Sequence, residues 1–204
     1  MDNPYARASF LKSAAELRQL PADGGIEVAF AGRSNSGKSS ALNAITGRRA
    51  LARISKTPGR TQLINIFPLD EYRRLVDLPG YGYARVPANV KAHWERVLPG
   101  YLSGRQCLRG LILVMDIRHP LRAFDQQMLA WCEHAGLPLH ILLNKADKLG
   151  RGAAADALRT VRGALAEHQA PASAQTFSAT RGSGTDAARA VLDDWFADAP
   201  APGD

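Results

Sequence analysis

Residues 26–46 constrain this chain more than any other stretch. An apolar run, Ile26-Glu27-Val28-Ala29-Phe30-Ala31, reads as a buried strand. Gly32-Arg33-Ser34-Asn35-Ser36-Gly37-Lys38-Ser39 follows it, and Lys38-Ser39-Ser40-Ala41-Leu42-Asn43-Ala44-Ile45 then has helical spacing of its apolar residues. Strand, glycine-rich turn and helix together form the context in which G-x-x-x-x-G-K-S becomes a phosphate-binding loop. Glycines 32 and 37 let the backbone curl so that successive N–H groups point inward at a polyphosphate. The helix that starts there adds the positive end of its dipole. Lys38 is placed to reach the terminal phosphates, and the Ser39 hydroxyl to ligate Mg²⁺.

A chain of 204 residues buries one good core, so a single domain is expected. The longest clean apolar run, Leu111 to Met115, is far too short to cross a bilayer. No basic segment followed by an apolar core opens the chain, which predicts no secretory signal. Two cysteines, Cys107 and Cys132, lack metal-ligand spacing and read as reduced, buried thiols of a cytoplasmic protein. The net charge is +7, and its distribution is uneven. Residues 44–110 hold 12 basic and 4 acidic side chains, against 14 and 15 in the rest of the chain. The whole excess therefore lies between the first helix and the middle of the sequence, which suits an anionic partner such as RNA.

Taken in order, residues 1–24 carry Phe10, Leu11, Ala14, Leu17 and Leu20 with Pro21 as a stop. This spacing predicts a short amphipathic helix packed on the domain as an N-terminal extension. Residues 47–60 are basic and aperiodic and read as a mobile loop. Strands are expected at 62–69 and 72–77, and the short Asp70-Glu71 link between them implies an antiparallel pair. Residues 88–103 look helical, with an interruption near Pro99 and Gly100. Leu108 to Asp116 is a strand buried on both faces, Asp125 to His134 a helix, and Leu139 to Leu143 a further buried strand. An Ala-rich helix at 152–168, a short strand at 175–177 and a helix at 186–196 complete the pattern. Residues 25–197 make up the main domain, and 198–204 read as a disordered tail. The six strands alternate with helices, which predicts a three-layer α/β architecture: a mostly parallel sheet, one antiparallel strand, and helices on both faces.

Five segments fall at the carboxyl ends of predicted strands, where open α/β sheets bind ligands. The phosphate loop is the first, from Gly32 to Ser40. In Gly59-Arg60-Thr61-Gln62, Thr61 offers a hydroxyl to a metal. In Asp77-Leu78-Pro79-Gly80, Asp77 would hold the Mg²⁺ shell through water and the Gly80 N–H would meet a γ-phosphate. In Asn144-Lys145-Ala146-Asp147, a carboxylate accepts two N–H groups from guanine, a donor pair that adenine lacks. Asp147 thus selects guanine, because an adenine nucleotide would leave it unpaired. Lys145 would lie along the base and Asn144 would brace the loop. Phe177-Ser178-Ala179 is the fifth segment, its backbone meeting the guanine carbonyl. Lys38, Thr61 and Gly80 are the residues expected to act on the transferred phosphoryl group.

At these residues the chain resembles the translation-factor-related small GTPases, and within them the EngB (also YihA or YsxC) family of bacterial ribosome-biogenesis GTPases. The closer marks are Gly32 to Ser40, Lys56-Thr57-Pro58-Gly59-Arg60-Thr61-Gln62, Asp77-Leu78-Pro79-Gly80-Tyr81-Gly82-Tyr83-Ala84 and Asp116-Ile117-Arg118-His119-Pro120. The likeness runs from about Phe10 to the last helix. Asn144 stands where many relatives carry Thr, and Asn is what most other GTPases have there. The resemblance implies a phosphate-loop G domain, GTP hydrolysis with Mg²⁺, and a role in large-ribosomal-subunit assembly linked to normal cell division and septation.

In many GTPases a Gln just after Asp-x-x-Gly orients the attacking water; here that position is Tyr81. Slow resting turnover is therefore expected, on the order of 10⁻³ s⁻¹ or below. Related GTPases with Asn at the place of Asn35 bind K⁺ beside the phosphates, which sets K⁺ assistance against a simple hydrogen bond of Asn35 within the loop. The segments 47–60 and 80–87 are expected to order around GTP and relax on GDP. Arg48, Arg49, Arg53, Lys56, Arg60 and Arg85 are the candidates for contact with a ribosomal precursor of RNA and protein. The five histidines form no metal spacing, and Trp94, Trp131 and Trp195 read as packing residues. Asp116 and Asp125 read as partners for basic neighbours. The favoured function is a slow GTP-driven switch, monomeric, in ribosome assembly. The rivals are a septum-associated regulator without ribosome contact and a phosphate-loop enzyme acting on RNA.

Overall fold

The computed structural model describes residues 3–52, 63–80 and 88–199. It contains a seven-stranded sheet in the order β1-β3-β4-β2-β5-β6-β7. The strands are β1 (Lys12–Ala14), β2 (Ile26–Gly32), β3 (Ile64–Pro68), β4 (Arg73–Asp77), β5 (Leu108–Asp116), β6 (Leu139–Asn144) and β7 (Ala172–Thr176). Five helices alternate with them: α1 (Lys38–Thr46), α2 (Ala88–Gly104), α3 (Ala123–His134), α4 (Arg151–Leu165) and α5 (Thr185–Phe196). β2 is parallel to both β4 and β5, and β5, β6 and β7 continue in parallel. β3 alone runs the other way, antiparallel to β4 and to β1. This is the α/β class expected, with one strand more than the six foreseen.

The extra strand corrects the reading of the N-terminal segment. Residues 4–20 form two short 3-10 turns, Pro4–Arg7 and Leu17–Gln19, on either side of β1, and no amphipathic helix. Phe10 and Leu11, which gave the helical spacing, are exposed, whereas Ala14 is fully buried. Pairing with β3 satisfies the backbone here: the Leu11 N–H donates to the Ile66 carbonyl at 2.9 Å and the Ser9 N–H to Pro68 at 3.2 Å. Local spacing therefore loses to the hydrogen-bonding demand of an open sheet edge.

α2 corrects a second expectation, because it runs unbroken through Pro99. Its inward stripe, Trp94, Leu98, Tyr101 and Leu102, is buried in the core. Packing of that stripe outweighs the roughly 3 kcal/mol that an interior proline costs. Beyond the proline, the Ser103 hydroxyl donates back to the Pro99 carbonyl at 2.8 Å.

β2 shows how the layers form. Val28 and Phe30 face a core with Ala41, Leu42 and Ile45 of α1 and Ala188, Leu192 and Phe196 of α5. Ala29 and Ala31 face the opposite core, which holds the buried stripes of α2, α3 and α4. A strand covered on both sides needs a continuous apolar run, and the wholly buried Ile26–Gly32 supplies one. The parallel register then brings the carboxyl ends of β2, β4, β5 and β6 to one edge: Phe30 lies beside Asp77, Gly32 beside Val114, and Asp116 beside Asn144.

Candidate functional site

The phosphate loop closes tightly between β2 and α1. Gly32 has no space for a side chain, since a β-carbon there would fall 2.6 Å from the Val114 carbonyl oxygen and 2.8 Å from Ser36 Oγ. Gly37 caps α1 with a left-handed φ of 90°, and its β-carbon would lie 2.3 Å from Asn144 Nδ2. Glycine is thus demanded at both positions by close approach, and at Gly37 by conformation as well. Asn35 is also left-handed, at φ 64°, and its side chain is exposed and makes no hydrogen bond among the described residues. Arg33 and Ser34 complete the turn, with the Ser36 N–H donating to the Arg33 carbonyl at 3.0 Å. Ser36 Oγ is buried with no hydrogen-bond partner, an uncommon condition for a hydroxyl. Ser39 and Ser40 stand half-buried in the first turn of α1.

Lys38 and Asp77 join the loop to β4. Both side chains are almost wholly covered, and the Lys38 ammonium pairs with the Asp77 carboxylate. The next residues turn across the phosphate loop. Leu78 is buried and its N–H donates to the Phe30 carbonyl at 2.9 Å. Pro79 is buried and Gly80 half-buried, and a β-carbon on Gly80 would lie 4.0 Å from the Gly32 carbonyl and from Ser34 Cα. The expected contributions of Gly59, Arg60, Thr61 and Gln62, and of Tyr81, fall outside the described residues, as do Arg53, Lys56, Arg85 and the tail from 200 on.

Asn144 holds the opposite end of the site together. It is 2 % exposed, yet every arm of its amide is used. Its Nδ2 donates to the Ser36 carbonyl at 2.9 Å, and its Oδ1 accepts the Ala179 N–H at 3.2 Å. One side chain therefore spans the phosphate loop and the 177–179 segment. The Ala146 N–H donates to the Phe177 carbonyl at 3.0 Å, which adds a backbone tie between the same loops. Ser178 is fully buried and donates its hydroxyl to Asp147 Oδ1 at 2.6 Å. That hydrogen bond holds the Asp147 carboxyl below its usual range, so it stays ionised.

Lys145, in the left-handed region at φ 65°, reaches back with its Nζ to the Asn35 carbonyl at 2.5 Å and to Asp116 Oδ2 at 2.9 Å. Asp116 was expected only to pair with a basic neighbour; it does more by anchoring Lys145 beside the phosphate loop. Its burial opposes ionisation, but hydrogen bonds from Arg118 and Lys145 outweigh that and keep its carboxyl well below the ordinary range. The available signal was positional: Asp116 ends a buried strand at the same edge as Asp77 and Asn144.

The excess basic charge is distributed differently from the simple face that the sequence suggested. Arg74 and Arg105 turn inward onto Glu27, which is 1 % exposed, at the far end of β2 from the loop. Arg73 pairs with Asp70 at 2.6 Å. Arg48 donates to the carbonyls of Ala6 and Ala8 at 3.2 and 2.6 Å, clasping the N-terminal segment, while Arg49 stays exposed. Cys107 and Cys132 are buried and free, and burial pushes both thiols up to about 12. Among the described residues no three His, Cys, Asp or Glu side chains form a metal cluster. No helix among them is long and apolar enough to cross a membrane.

Comparison with known proteins agrees with this geometry. A family model described as a 50S ribosome-binding GTPase matches residues 27–145. A protein of Coxiella burnetii (strain RSA 331 / Henzerling II) named "Probable GTP-binding protein EngB" is 53% identical over 196 residues, covering 96% of each chain. A namesake from Enterobacter sp. (strain 638) is 54% identical over 192 residues, covering 94% of this chain and 92% of its own. Among solved structures, a crystal structure of a probable GTP-binding protein engB superposes with a TM-score of 0.67 at 20% identity, covering 84% of this chain and 98% of the other. With these relatives spanning nearly the whole sequence, the chain belongs to the EngB family of GTP-binding proteins and is a GTPase.

Proposed function

We propose that this GTPase is a nucleotide-controlled switch acting on precursors of the large ribosomal subunit, and that its site is the strand edge described above. The observation that carries the nucleotide part is the Asn144 bridge, from the Ser36 carbonyl to the Ala179 N–H. It ties the proposed phosphate cradle directly to the proposed base wall. The phosphate loop from Gly32 to Ser40 presents backbone N–H groups to the phosphates. Lys38 carries three N–H donors, so pairing with Asp77 leaves two for phosphate oxygens. Gly80, with no side chain to block its approach, offers its N–H to the γ-phosphate. Asp147 reads the guanine N–H pair, the Ala179 N–H meets the guanine carbonyl by being shared with or released from Asn144 Oδ1, and Lys145 lies along the ring.

The Ser39 hydroxyl and the Asp77 carboxylate are hard oxygen donors at adjacent strand and helix ends, and that donor set fits Mg²⁺, with Thr61 as a further hydroxyl. Held by Ser39 and, through water, Asp77, the metal would supply positive charge to offset the charge that develops on the phosphoryl group. The orphaned Ser36 hydroxyl, and the exposed Asn35 side chain without a hydrogen bond among the described residues, fit a polyphosphate and an alkali cation beside it. With Tyr81 in the usual place of Gln, resting hydrolysis is on the order of 10⁻³ s⁻¹ or below.

Support for the ribosomal part comes from the description of the matching family model, the net charge of +7 and the basic segment 47–60. The two buried thiols suit a reducing cytoplasmic setting, and we take the working unit to be a monomer. Calorimetry with GDP and ADP in Mg²⁺, followed by co-sedimentation with ribosomal subunits in GTP and in GDP, tests both parts. A guanine preference and nucleotide-dependent, salt-sensitive binding to the large subunit are expected. Equal uptake of GDP and ADP refutes the first part, and binding indifferent to nucleotide refutes the second.

A further inference from the structure

A polar chain that starts at a buried histidine and continues through exposed and half-buried partners leads to the base wall and belongs to no motif. His140, on β6, is 4 % exposed. Its Nδ1 lies 2.7 Å from the Ser173 hydroxyl and its Nε2 lies 3.0 Å from Gln175 Oε1, both on β7. The Gln175 amide continues to the Gly184 carbonyl, with Nε2 to oxygen at 2.7 Å. Gly184 closes the turn that begins at Ser178, where the Ser178 N–H donates to the Ser183 carbonyl at 3.0 Å. That turn carries Ser178, which holds Asp147, and Ala179, which meets Asn144.

The direction of every hydrogen bond in this chain follows from its fixed end. The Gly184 carbonyl only accepts, so the Gln175 nitrogen must face it and Gln175 Oε1 must face His140. His140 therefore carries its proton on Nε2, and its Nδ1 accepts from the Ser173 hydroxyl. Burial lowers the His140 pKa, which keeps the ring neutral with one donor and one acceptor. Gly184 makes the contact possible: at φ 82°, a β-carbon there would fall 2.8 Å from Gln175 Nε2 and 2.6 Å from the Thr176 carbonyl.

We propose that His140 is a positioning residue for purine recognition: through Gln175 it fixes the Gly184 carbonyl, and so holds the 178–184 turn closed against Asp147. This rests on reading that turn as the guanine-contacting wall. The sequence offers no warning, because His140, though on the strand that ends in Asn144, is no part of the Asn144 to Asp147 motif, and its partners are set by the register of β6 with β7.

Three measurements test it. Nitrogen-15 spectra of the free protein should show a neutral His140 protonated at Nε2; protonation at Nδ1 overturns the proposal. Gln175→Glu replaces one nitrogen by oxygen and turns it toward the Gly184 carbonyl. It should raise the Kd for GDP by about tenfold or more and speed amide exchange at Ser178. His140→Gln places an N–H near the position of Nε2 and should bind GDP within about twofold of the parent, whereas His140→Asn, which cannot reach, should lose about fivefold. Equal behaviour of the two His140 variants, or a Gln175→Glu variant within about twofold of the parent, overturns the proposal. A parent protein without guanine preference sinks the functional reading instead; the ring tautomer and the Ser178 exchange rate, both measured without nucleotide, then still decide this one.

Discussion

Gly37 and Asn144 are predicted to be strongly coupled, and a double-mutant cycle measures by how much. Gly37→Ala places a methyl group 2.3 Å from Asn144 Nδ2 while forcing a side chain into φ 90°. The backbone strain costs about 1–2 kcal/mol. The clash is relieved only if Asn144 swings away, which surrenders its bonds to Ser36 and Ala179. Leaving those buried groups unpaired costs about 1–3 kcal/mol. Asn144→Ala pays the second cost alone. In the double variant the methyl meets empty space, so only the strain is added to the Asn144→Ala loss. The two single losses should therefore exceed the double loss by about 1–3 kcal/mol. Urea unfolding of the four proteins without nucleotide gives the cycle, and calorimetry with GDP gives its counterpart in binding. Losses that add to within about 0.5 kcal/mol would show that Asn144 yields freely and does not brace the loop.

Three further outcomes follow from the site. Asp147→Asn turns one of two acceptors into a donor and should weaken GDP binding by about 2–5 kcal/mol while improving xanthosine diphosphate, read by calorimetry with both. Asp125, 1 % exposed with Oδ1 unpartnered, is raised by burial from 3.8 to about 6. The folded chain therefore holds that proton more tightly than the unfolded chain. Its stabilising share is full below pH 4 and is lost as pH rises through 6, a loss of roughly 3 kcal/mol. Urea midpoints between pH 4 and 7 should show that slope in the parent and not in Asp125→Asn. Finally, GTP turnover in KCl should exceed that in NaCl at equal ionic strength and should lose the difference in Asn35→Ala; equal parent rates remove the alkali-cation reading.

The legible parts of this molecule were those in which backbone chemistry dictates residue type. Gly32 and Gly37 betray the phosphate loop because no other residue fits the space, and Asn144-Lys145-Ala146-Asp147 stands out because a strand end is the place for it. β1 was illegible because its stability comes from the unpaired rim of β3, 52 residues away, while Phe10, Leu11 and Ala14 happened to mimic a helix. Pro99 misled in the same sense: a local penalty was outweighed by a buried stripe that only the assembled core reveals. The +8 stretch overstated the exposed charge, because nothing near Arg74 and Arg105 in sequence announces Glu27 as their partner. His140, Ser173 and Gln175 meet only once two parallel strands are in register.

β1 is three residues long, yet it is the selvedge of the whole sheet. A chain shortened past Ala14 would bare the hydrogen-bonding rim of Ile64 to Ile66 along its full height. A second copy would meet there a five-residue, mostly apolar edge in place of the three-residue one, led by Lys12, that β1 presents.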